Sequence, residues 1–387
     1  MYKVWDYLRK NTDRRHPTSI AKMRKDKNIN TYIGDKETIN RLLKDMANIM
    51  NLEDGGSDYK PEAEWRLYFD DFKKFYGDKE RYERDDSDED DSYIANVMRI
   101  KNLYYNRTFS EKEVDSIIEG IMATRTLDSK SAQELVRKVE DNMTTVFYKR
   151  TPRHICKVQE PELADRELLK DNLAIIQKAI DDNVRIQFRF NGYSYEKKLE
   201  PVREESDELS PYYIVASGGK YYLLAAKEYE DYKPDMSIWR IDLMTDIEIP
   251  GRNDRLHIKG IPRIPKKNVA NLPEKWSEDF QLKHLNMSFD KPVPVTLRIK
   301  SEKCEDNPKK RVRPGYTFLH DWFGDSFTYI RTEKEPPYDD IVRVECSPYV
   351  MAHWALQYSE LVEVLEPEGL REDIKSKIKA LNEKYSL

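Results

Sequence analysis

Residues 210–226 read SPYYIVASGGKYYLLAA, and this stretch decides the fold of the middle of the chain. Two runs rich in aromatic and aliphatic residues, 212–216 and 221–226, lie on either side of Gly218-Gly219. Such runs around a two-residue glycine turn indicate an antiparallel hairpin. Because alternate residues of a strand point to opposite faces, some of the tyrosines must be core residues and others can line a surface.

The same pattern extends on both sides of this hairpin. Upstream, a helix near Asp171 leads into apolar residues that alternate with polar ones from 186 to 190, and Asn191-Gly192 then predicts a second hairpin turn. Downstream, residues 237–243 form another strand-like run. Five short strands of this kind predict a small β-barrel.

The C-terminal third begins after a proline-rich connector. Alternating residues at 293–300, later strand-like runs and a helix from Ser347-Pro348 predict a β-α-β sandwich. Pro367 then opens a final helix. Its apolar residues form one seam, which must pack within the chain or across a dimer: Leu370, Ile374, Ile378, Leu381 and Tyr385.

The N-terminal fifty residues are the electropositive end of the chain. They hold 12 Lys and Arg against 6 Asp and Glu, whereas residues 51–95 hold 7 against 16, and the whole chain has a net charge of −5. Apolar residues at helical spacing predict three short helices here, the third beginning after Gly34-Asp35. We expect five residues of the third helix to point away from the core and contact DNA: Lys36, Thr38, Asn40, Arg41 and Lys44.

Two further features link this head to the barrel. Residues 64–82 and the acidic run at 85–91 predict a long wing whose tip is a solvated loop. Capping-box patterns at Ser110-x-x-Glu113 and Ser131-x-x-Glu134 then open two helices over residues 110–147. We interpret this helical pair as spacer or dimerisation material.

Several function classes lack support. The chain has none of the GxGxxG, GxxxxGK[ST], HExxH and GxSxG motifs, and its three cysteines are too far apart to indicate a disulfide framework or metal site. We therefore expect no enzyme, no metal and no cofactor. No apolar run approaches the ~20 residues that span a bilayer, so we expect a cytoplasmic protein that does not bind membranes.

The motifs of the middle resemble those of the WYL-domain regulators, a bacterial family with a winged helix-turn-helix head and a C-terminal WCX extension. Residues 210–215, 219–224 and 239–242 follow the family's progression from a proline-aromatic strand, through the W/Y-Y-L strand, to an Arg-x-Asp strand. Residues 362–367 with Leu370 are similar to its C-terminal signature, and Thr38, Ile39 and Arg41 look like its DNA-reading helix. Tyr221 replaces the name-giving Trp, and Leu243 replaces an expected Arg.

The resemblance implies a multidomain α+β architecture. Residues 1–95 would form a winged helix-turn-helix domain, 96–165 a helical linker, 166–262 a WYL domain folded as an Sm-like β-barrel, and 285–387 a ferredoxin-like WCX domain with its C-terminal helix. The resemblance also implies a homodimer that binds an operator in double-stranded DNA. Its effector class is single-stranded DNA or a nucleotide, although Leu243 removes half of a basic pair.

The effector site predicted from the residues combines aromatic rings with cations. Aromatic side chains stack on bases, and guanidinium groups bind phosphate in a bidentate manner. The candidates are Tyr212, Tyr222 and Arg240, with Lys198 and Arg203 as peripheral cations. Arg240 can equally pair with Asp242.

Two functions from different classes fit these features. In the first, a transcriptional regulator changes its operator affinity when an effector binds the WYL-WCX body. In the second, an accessory protein of a defence system binds RNA or single-stranded DNA through the body, and its head contacts another protein. The residues from Lys36 to Lys44 discriminate the two, because only the first needs them for duplex binding.

Overall fold

The computed structural model describes residues 1–53, 60–70, 100–124, 127–150, 166–229, 231–277, 279–301, 303–304, 307–311 and 315–385. The chain divides into two compact units, 1–161 and 162–387. Most of the predicted wing, with its acidic tip at 85–91, lies outside the described residues. Among the described residues, no helix is both long and apolar enough to cross a membrane.

The first unit begins with the three predicted helices, α1 (Tyr2–Asn11), α2 (Ile20–Met23) and α3 (Lys36–Asn51). Ser19 and Asp35 cap α2 and α3 through their side chains, and α3 begins after Asp35 as predicted. Residues 24–35, which include a 3-10 turn at Asn30–Tyr32, connect α2 to α3. This connection is longer than the turn of about three or four residues in a compact helix-turn-helix.

A small hairpin completes the head. Strands β1 (Leu67–Tyr68) and β2 (Tyr104–Tyr105) pair antiparallel. Ile100 and Leu103, which lead into β2, belong to the same hydrophobic core as Leu8 and Leu43. The head therefore extends past residue 95, because Ile100 and Leu103 contribute to its core.

The predicted helical pair consists of α4 (Glu111–Ala123) and α5 (Ser129–Met143). The Ser110–Glu113 capping box is confirmed. The second cap was predicted three residues too late, because the carboxylate of Asp128 accepts hydrogen bonds from the backbone N–H and the hydroxyl of Ser131, each at 2.8 Å. Asp128, rather than Ser131, therefore caps α5.

Hydrogen bonds join this pair to the head. The Arg9 guanidinium donates to the backbone carbonyls of Asp141 and Asn142, at 3.3 and 2.7 Å. These carbonyls lie at the C-terminus of α5, where the helix dipole favours a cation. The Val146 N–H also donates to the Lys10 carbonyl at 3.0 Å. Helix α5 and the segment after it are thus anchored to α1.

The second unit begins with α6 (Arg166–Asp182) and a curled antiparallel sheet. The sheet contains β3 (Ile186–Tyr193), β4 (Leu199–Pro201), β5 (Asp207–Ser217), β6 (Lys220–Ala226), β7 (Met236–Arg240) and β8 (Met244–Glu248). Its order is β4-β3-β5-β6-β7, and β8 also pairs with β3. Buried residues of α6, among them Ile176, pack against Phe188 and Leu223 on one face.

The two turn predictions have different outcomes. Gly218 and Gly219 form the β5–β6 turn with φ of 56° and 73°, which is the left-handed conformation that favours glycine. The Asn191-Gly192 prediction is wrong, because both residues lie inside β3. The chain turns instead after Ser194, whose N–H donates to the Lys198 carbonyl at 2.9 Å.

A connector covers the other face of the sheet. It contains the short helix α7 (Phe280–Lys283). Phe280 and Met287 pack against Val215, Leu224 and Met236 on strands β5 to β7. The sheet is therefore apolar on both faces.

The C-terminal sheet consists of β9 (Val293–Ile299), β12 (Thr328–Thr332), β13 (Asp340–Cys346) and β14 (Val362–Glu366); β10 (Lys303–Cys304) and β11 (Asn307–Arg311) form a separate hairpin. The strand order is β12-β13-β9-β14, all antiparallel. Helices α8 (Thr317–Phe323) and α9 (Pro348–Gln357) complete the β-α-β-β-α-β order of a ferredoxin-like unit.

The final helix, α10 (Glu368–Tyr385), is only partly covered. Leu370 is buried in the C-terminal core, and Ile374 packs against it. Ile378, Leu381 and Tyr385 are 50%, 43% and 66% exposed. The predicted seam therefore packs within the chain at its first half only.

Candidate nucleic-acid interface

The first turn of α3 is fixed by Asp35. Its carboxylate accepts hydrogen bonds from the Thr38 N–H and from the Thr38 hydroxyl, both at 2.8 Å. Asp35 thus satisfies one of the helix's unpaired N–H groups. The Thr38 hydroxyl proton is engaged in this cap, which leaves the oxygen as an acceptor on an exposed side chain.

The other predicted DNA contacts of α3 have different surroundings. Arg41 is exposed, and Lys44 is half-buried and interacts with a neighbouring group. The side chain of Lys36 lies outside the described part of the structure. Asn40 is only 6% exposed, so the expectation that it points away from the core is wrong. Its position directly after buried Ile39 places it beside the core, where its amide cannot reach a base edge.

Additional cations lie on α2 and the connection that follows it. Lys22, Arg24, Lys25 and Lys27 are all exposed. Arg24 donates to the Gly34 carbonyl at 2.8 Å, so its guanidinium lies near the start of α3. The positive charge balance of the first fifty residues indicates these cations, but the predicted DNA contacts were restricted to the third helix and did not include them.

In the second unit, Tyr222 and Arg240 are direct neighbours across β6 and β7. Their side chains therefore lie on the same face of the sheet. Arg240 Nε and Nη2 donate to the two carboxylate oxygens of Asp242, at 3.1 and 2.6 Å. The Asp242 side chain is 2% exposed and that of Arg240 is 30% exposed. The ion pair thus anchors Arg240 and leaves Nη1 available to a ligand.

The charge states at this pair follow from its surroundings. Burial raises the pKa of Tyr222, and the charge of Arg240 acts in the opposite direction. Burial lowers the pKa of Arg240, but the hydrogen bond and charge of Asp242 outweigh it, and the net shift is upward. A neutral phenol therefore stands beside a permanent cation at neutral pH.

Tyr193 is a further residue of this site, which the sequence did not predict. It lies at the end of β3, is 46% exposed, and is close enough to Arg240 to raise its pKa. The mistaken turn at Asn191-Gly192 hid it. A strand that continues through Asn191 places Tyr193 next to the Arg240 pair.

Tyr212 does not belong to this site. It is 2% exposed, and its hydroxyl donates to the Ile264 carbonyl at 2.7 Å. The expectation that Tyr212 lines an open pocket is therefore wrong. The proline-rich connector, whose path the sequence pattern does not give, covers this tyrosine.

The two peripheral cations are both engaged with acids. Lys198 is exposed and pairs with Glu196 at 2.8 Å. Arg203 is bound through Nε and Nη2 to the buried carboxylate of Asp207, and its guanidinium lies over the Trp239 ring at 5.8 Å. Trp239 packs toward the α6 side of the sheet. Arg203 is therefore anchored by β5 and Arg240 by the 3-10 turn Ile241–Leu243, and no contact joins the two arginines among the described residues.

Comparison with known proteins now gives these domains a family. Residues 171–249 match the WYL domain, and residues 291–381 match the WCX domain. The chain carries a WYL domain followed by a WCX domain. The resemblance of the middle and the end of the sequence is thereby confirmed. In the WYL domain, Leu243 is 9% exposed, so the place of the expected arginine is taken by a core residue.

Two solved structures have low sequence identity to this chain, and each is aligned over more of the chain than either domain match. The first is proteasome accessory factor B/C (PafBC) of Arthrobacter aurescens, with 15% identity, a TM-score of 0.23 and coverage of 75% of this chain. This chain spans 40% of the length of that protein. The second is a CRISPR Cas-related protein, with 15% identity, a TM-score of 0.31, and coverage of 96% of this chain and 93% of that one. No curated protein matches the chain.

Proposed function

We propose that this WYL-WCX protein is a cytoplasmic transcriptional regulator that binds duplex DNA through its first unit and senses an anionic, nucleic-acid-derived effector through its second. The observation that carries the proposal is the exposed cationic surface formed by α2, the connection after it and α3. A surplus of Lys and Arg in the head of an otherwise acidic chain is the electrostatic footprint of a DNA-binding domain. The proposal includes no catalytic step, metal or cofactor.

The head would bind DNA mainly through phosphates. Lys22, Lys25, Lys27 and Arg41 are exposed cations that suit this role. Thr38 is the best placed side chain of α3 for a base edge, since Asn40 is buried. In this proposal the three helices and the β1–β2 hairpin act as a winged helix-turn-helix, and two copies in a homodimer bind neighbouring half-sites.

The WYL domain would bind the effector at Tyr222, Arg240 and Tyr193. Aromatic rings stack on bases of any sequence, and the free edge of Arg240 can donate to a phosphate oxygen. The curled sheet then acts as an Sm-like half-barrel with its ligand at the open end of β6 and β7. Among the described residues, Arg240 is the guanidinium of this proposed site, because Leu243 fills the position of the expected second arginine.

The test is fluorescence anisotropy of the full-length protein on its own upstream duplex across a salt series. Lys36→Ala with Arg41→Ala should weaken binding and reduce the slope of log K against log salt by about 0.9 for each lost phosphate contact. The matched control is Lys130→Ala with Arg137→Ala, which removes the same charges from exposed positions of α5. Equal losses in both double variants would show that no specific face binds DNA.

The alternative is an accessory protein that binds RNA or single-stranded DNA through the WYL domain. The engaged hydroxyl of Thr38 and the buried Asn40 favour it, because they leave α3 with few groups that read bases. In the same assay, this alternative predicts binding of single strands alone. Arg240→Ala would then abolish that binding, and the α3 variant would leave it unchanged.

A further inference from the structure

A cleft of about 800 Å³ in the first unit has no role in the proposed function. Its walls come from residues 13–16, from residues 105–113 and from residues 143–149, so it lies between the head and the helical pair. Its volume is within the range of small-molecule sites, which is about 300–1,000 Å³. We call it the Arg107 cleft.

The Arg107 cleft is electropositive. Five of its residues are Lys or Arg and three are Asp or Glu: Arg14, Arg15, Arg107, Lys112 and Lys149 against Asp13, Glu111 and Glu113. Asp13 and Glu113 keep their negative charges while they accept hydrogen bonds, so the net charge of these eight side chains is +2. The surplus of positive charge therefore favours an anionic ligand.

Arg107 has an unused pair of hydrogen-bond donors. Its Nη1 donates to the Thr12 carbonyl at 3.0 Å, whereas Nε and Nη2 are buried without a partner among the described residues. In Arg240 and Arg298 the same Nε–Nη2 edge donates to a carboxylate. Buried donors without partners are unfavourable, and this edge matches the two oxygens of a carboxylate or phosphate.

Aromatic rings lie in the same cleft. The His16 imidazole stacks on the Phe147 ring, with centroids 4.0 Å apart and planes 15° apart. Phe147 is 42% exposed and Phe109 is 40% exposed, so both present apolar surface to solvent in the cleft. A planar heterocycle can extend this stack.

We propose that the Arg107 cleft binds a nucleoside monophosphate. The phosphate occupies the Nε–Nη2 edge of Arg107 and the field of the exposed cations, and the base packs against Phe147. Both nitrogens are shielded from water in this structure, so binding requires the Arg107 side chain to turn toward the cleft. This site is separate from the WYL domain and does not depend on the effector site proposed there.

Isothermal titration calorimetry on the full-length protein tests this proposal with AMP, adenosine and inorganic phosphate. AMP should bind more tightly than phosphate, and adenosine should not bind measurably. Arg107→Lys keeps the charge but loses the planar edge, so AMP affinity should fall about tenfold or more. Phe147→Ala should weaken AMP and leave phosphate unchanged.

Two further variants keep the test decisive. If Arg107→Lys fails to fold by circular dichroism, the exposed pair Arg15→Ala with Lys149→Ala should still weaken AMP several-fold. The matched control, Lys130→Ala with Arg137→Ala, removes equal charge outside the cleft and should change nothing. Absence of AMP binding, or equal losses in cleft and control variants, overturns the proposal. Loss of AMP binding in Arg240→Ala alone also overturns it, but would support the WYL site.

Discussion

The side chain of Asn191, in β3, forms buried hydrogen bonds that the sequence pattern does not predict. Its buried amide donates to the Leu243 carbonyl and to the Thr245 hydroxyl, each at 3.0 Å. Replacement by Ala removes these bonds and the one that the amide donates to the Arg189 carbonyl at 3.2 Å. We expect Asn191→Ala to lower the free energy of unfolding by about 1–3 kcal/mol, measured by denaturant titration of the full chain followed by circular dichroism.

Asn268→Ala is the control for this prediction. Asn268 is exposed and has no side-chain partner among the described residues, so the same chemical change should alter stability by less than about 0.5 kcal/mol. Equal destabilisation by the two variants would contradict the role given to the Asn191 amide.

Individual site residues were the hardest part to predict from the sequence. Periodicity correctly gives α3, but it does not separate Asn40, at the border of the core, from exposed Arg41. Residue type likewise placed Tyr212 and Tyr222 in one predicted site, whereas only Tyr222 lies beside Arg240. Burial of a side chain depends on which distant segment covers it, and neither spacing nor residue type contains that information.

Among the elements, α10 offers a contrast within one helix. Leu370 is 5% exposed and Leu381 is 43% exposed, although both belong to the same apolar seam. Leu370→Ala leaves a cavity in the C-terminal core and should cost about 2–5 kcal/mol. Leu381→Ala should cost less than about 1 kcal/mol in a monomer. The comparison uses denaturant unfolding of both variants at low protein concentration.

The seam's second half provides a check on that prediction. If Leu381 is covered by a second copy of the chain, the Leu381→Ala loss will grow as protein concentration rises, because unfolding is then linked to dissociation. A large, concentration-independent loss would contradict the exposed position of Leu381.

The connector between the sheets contains a pH-dependent contact. His284 is 6% exposed, stacks on Phe280 with centroids 4.2 Å apart, and its Nδ1 lies 2.8 Å from the Ser288 carbonyl. Burial lowers the pKa of His284 from 6.5. The unfolded chain therefore binds a proton more readily than the folded one, and the contribution of this group to stability falls as the pH drops below 6.5.

Thermal unfolding between pH 7 and pH 5 measures this effect. The wild type should lose more stability over that interval than His284→Gln, which cannot titrate. Parallel pH profiles would show that His284 does not contribute. Carboxylates also titrate near pH 5 in both proteins. The effect of His284 is therefore the difference between the pH profiles of stability of the wild type and of His284→Gln.

The sequence predicted helices, caps and turns more reliably than it predicted individual site residues. Local signals predicted the three head helices, the Ser110–Glu113 capping box and the Gly218-Gly219 turn, because each depends on residues only a few positions apart. Asn191-Gly192 failed for the opposite reason. The strands that pair with β3 come later in the chain, and their hydrogen bonds outweigh the local turn preference.

For the whole molecule, the proposed regulator requires that a ligand on one unit changes the affinity of the other. Coupling of this kind is a free energy between two sites, typically about 5- to 150-fold in affinity. Added single-stranded oligonucleotide should therefore shift the duplex affinity measured by anisotropy. Arg240→Ala should abolish the shift and leave the duplex affinity without oligonucleotide unchanged, since Arg240 belongs to the second unit.

The double variant in the head is the reciprocal test of coupling. Lys36→Ala with Arg41→Ala should weaken the duplex but leave oligonucleotide affinity intact, because those residues belong to the first unit. A shift that persists in Arg240→Ala would place the sensor outside the Tyr222–Arg240 pair. If the oligonucleotide instead competes with the duplex for the head, the shift will be lost in the head variant and kept in Arg240→Ala. The two variants together therefore distinguish coupling between two sites from competition at one site.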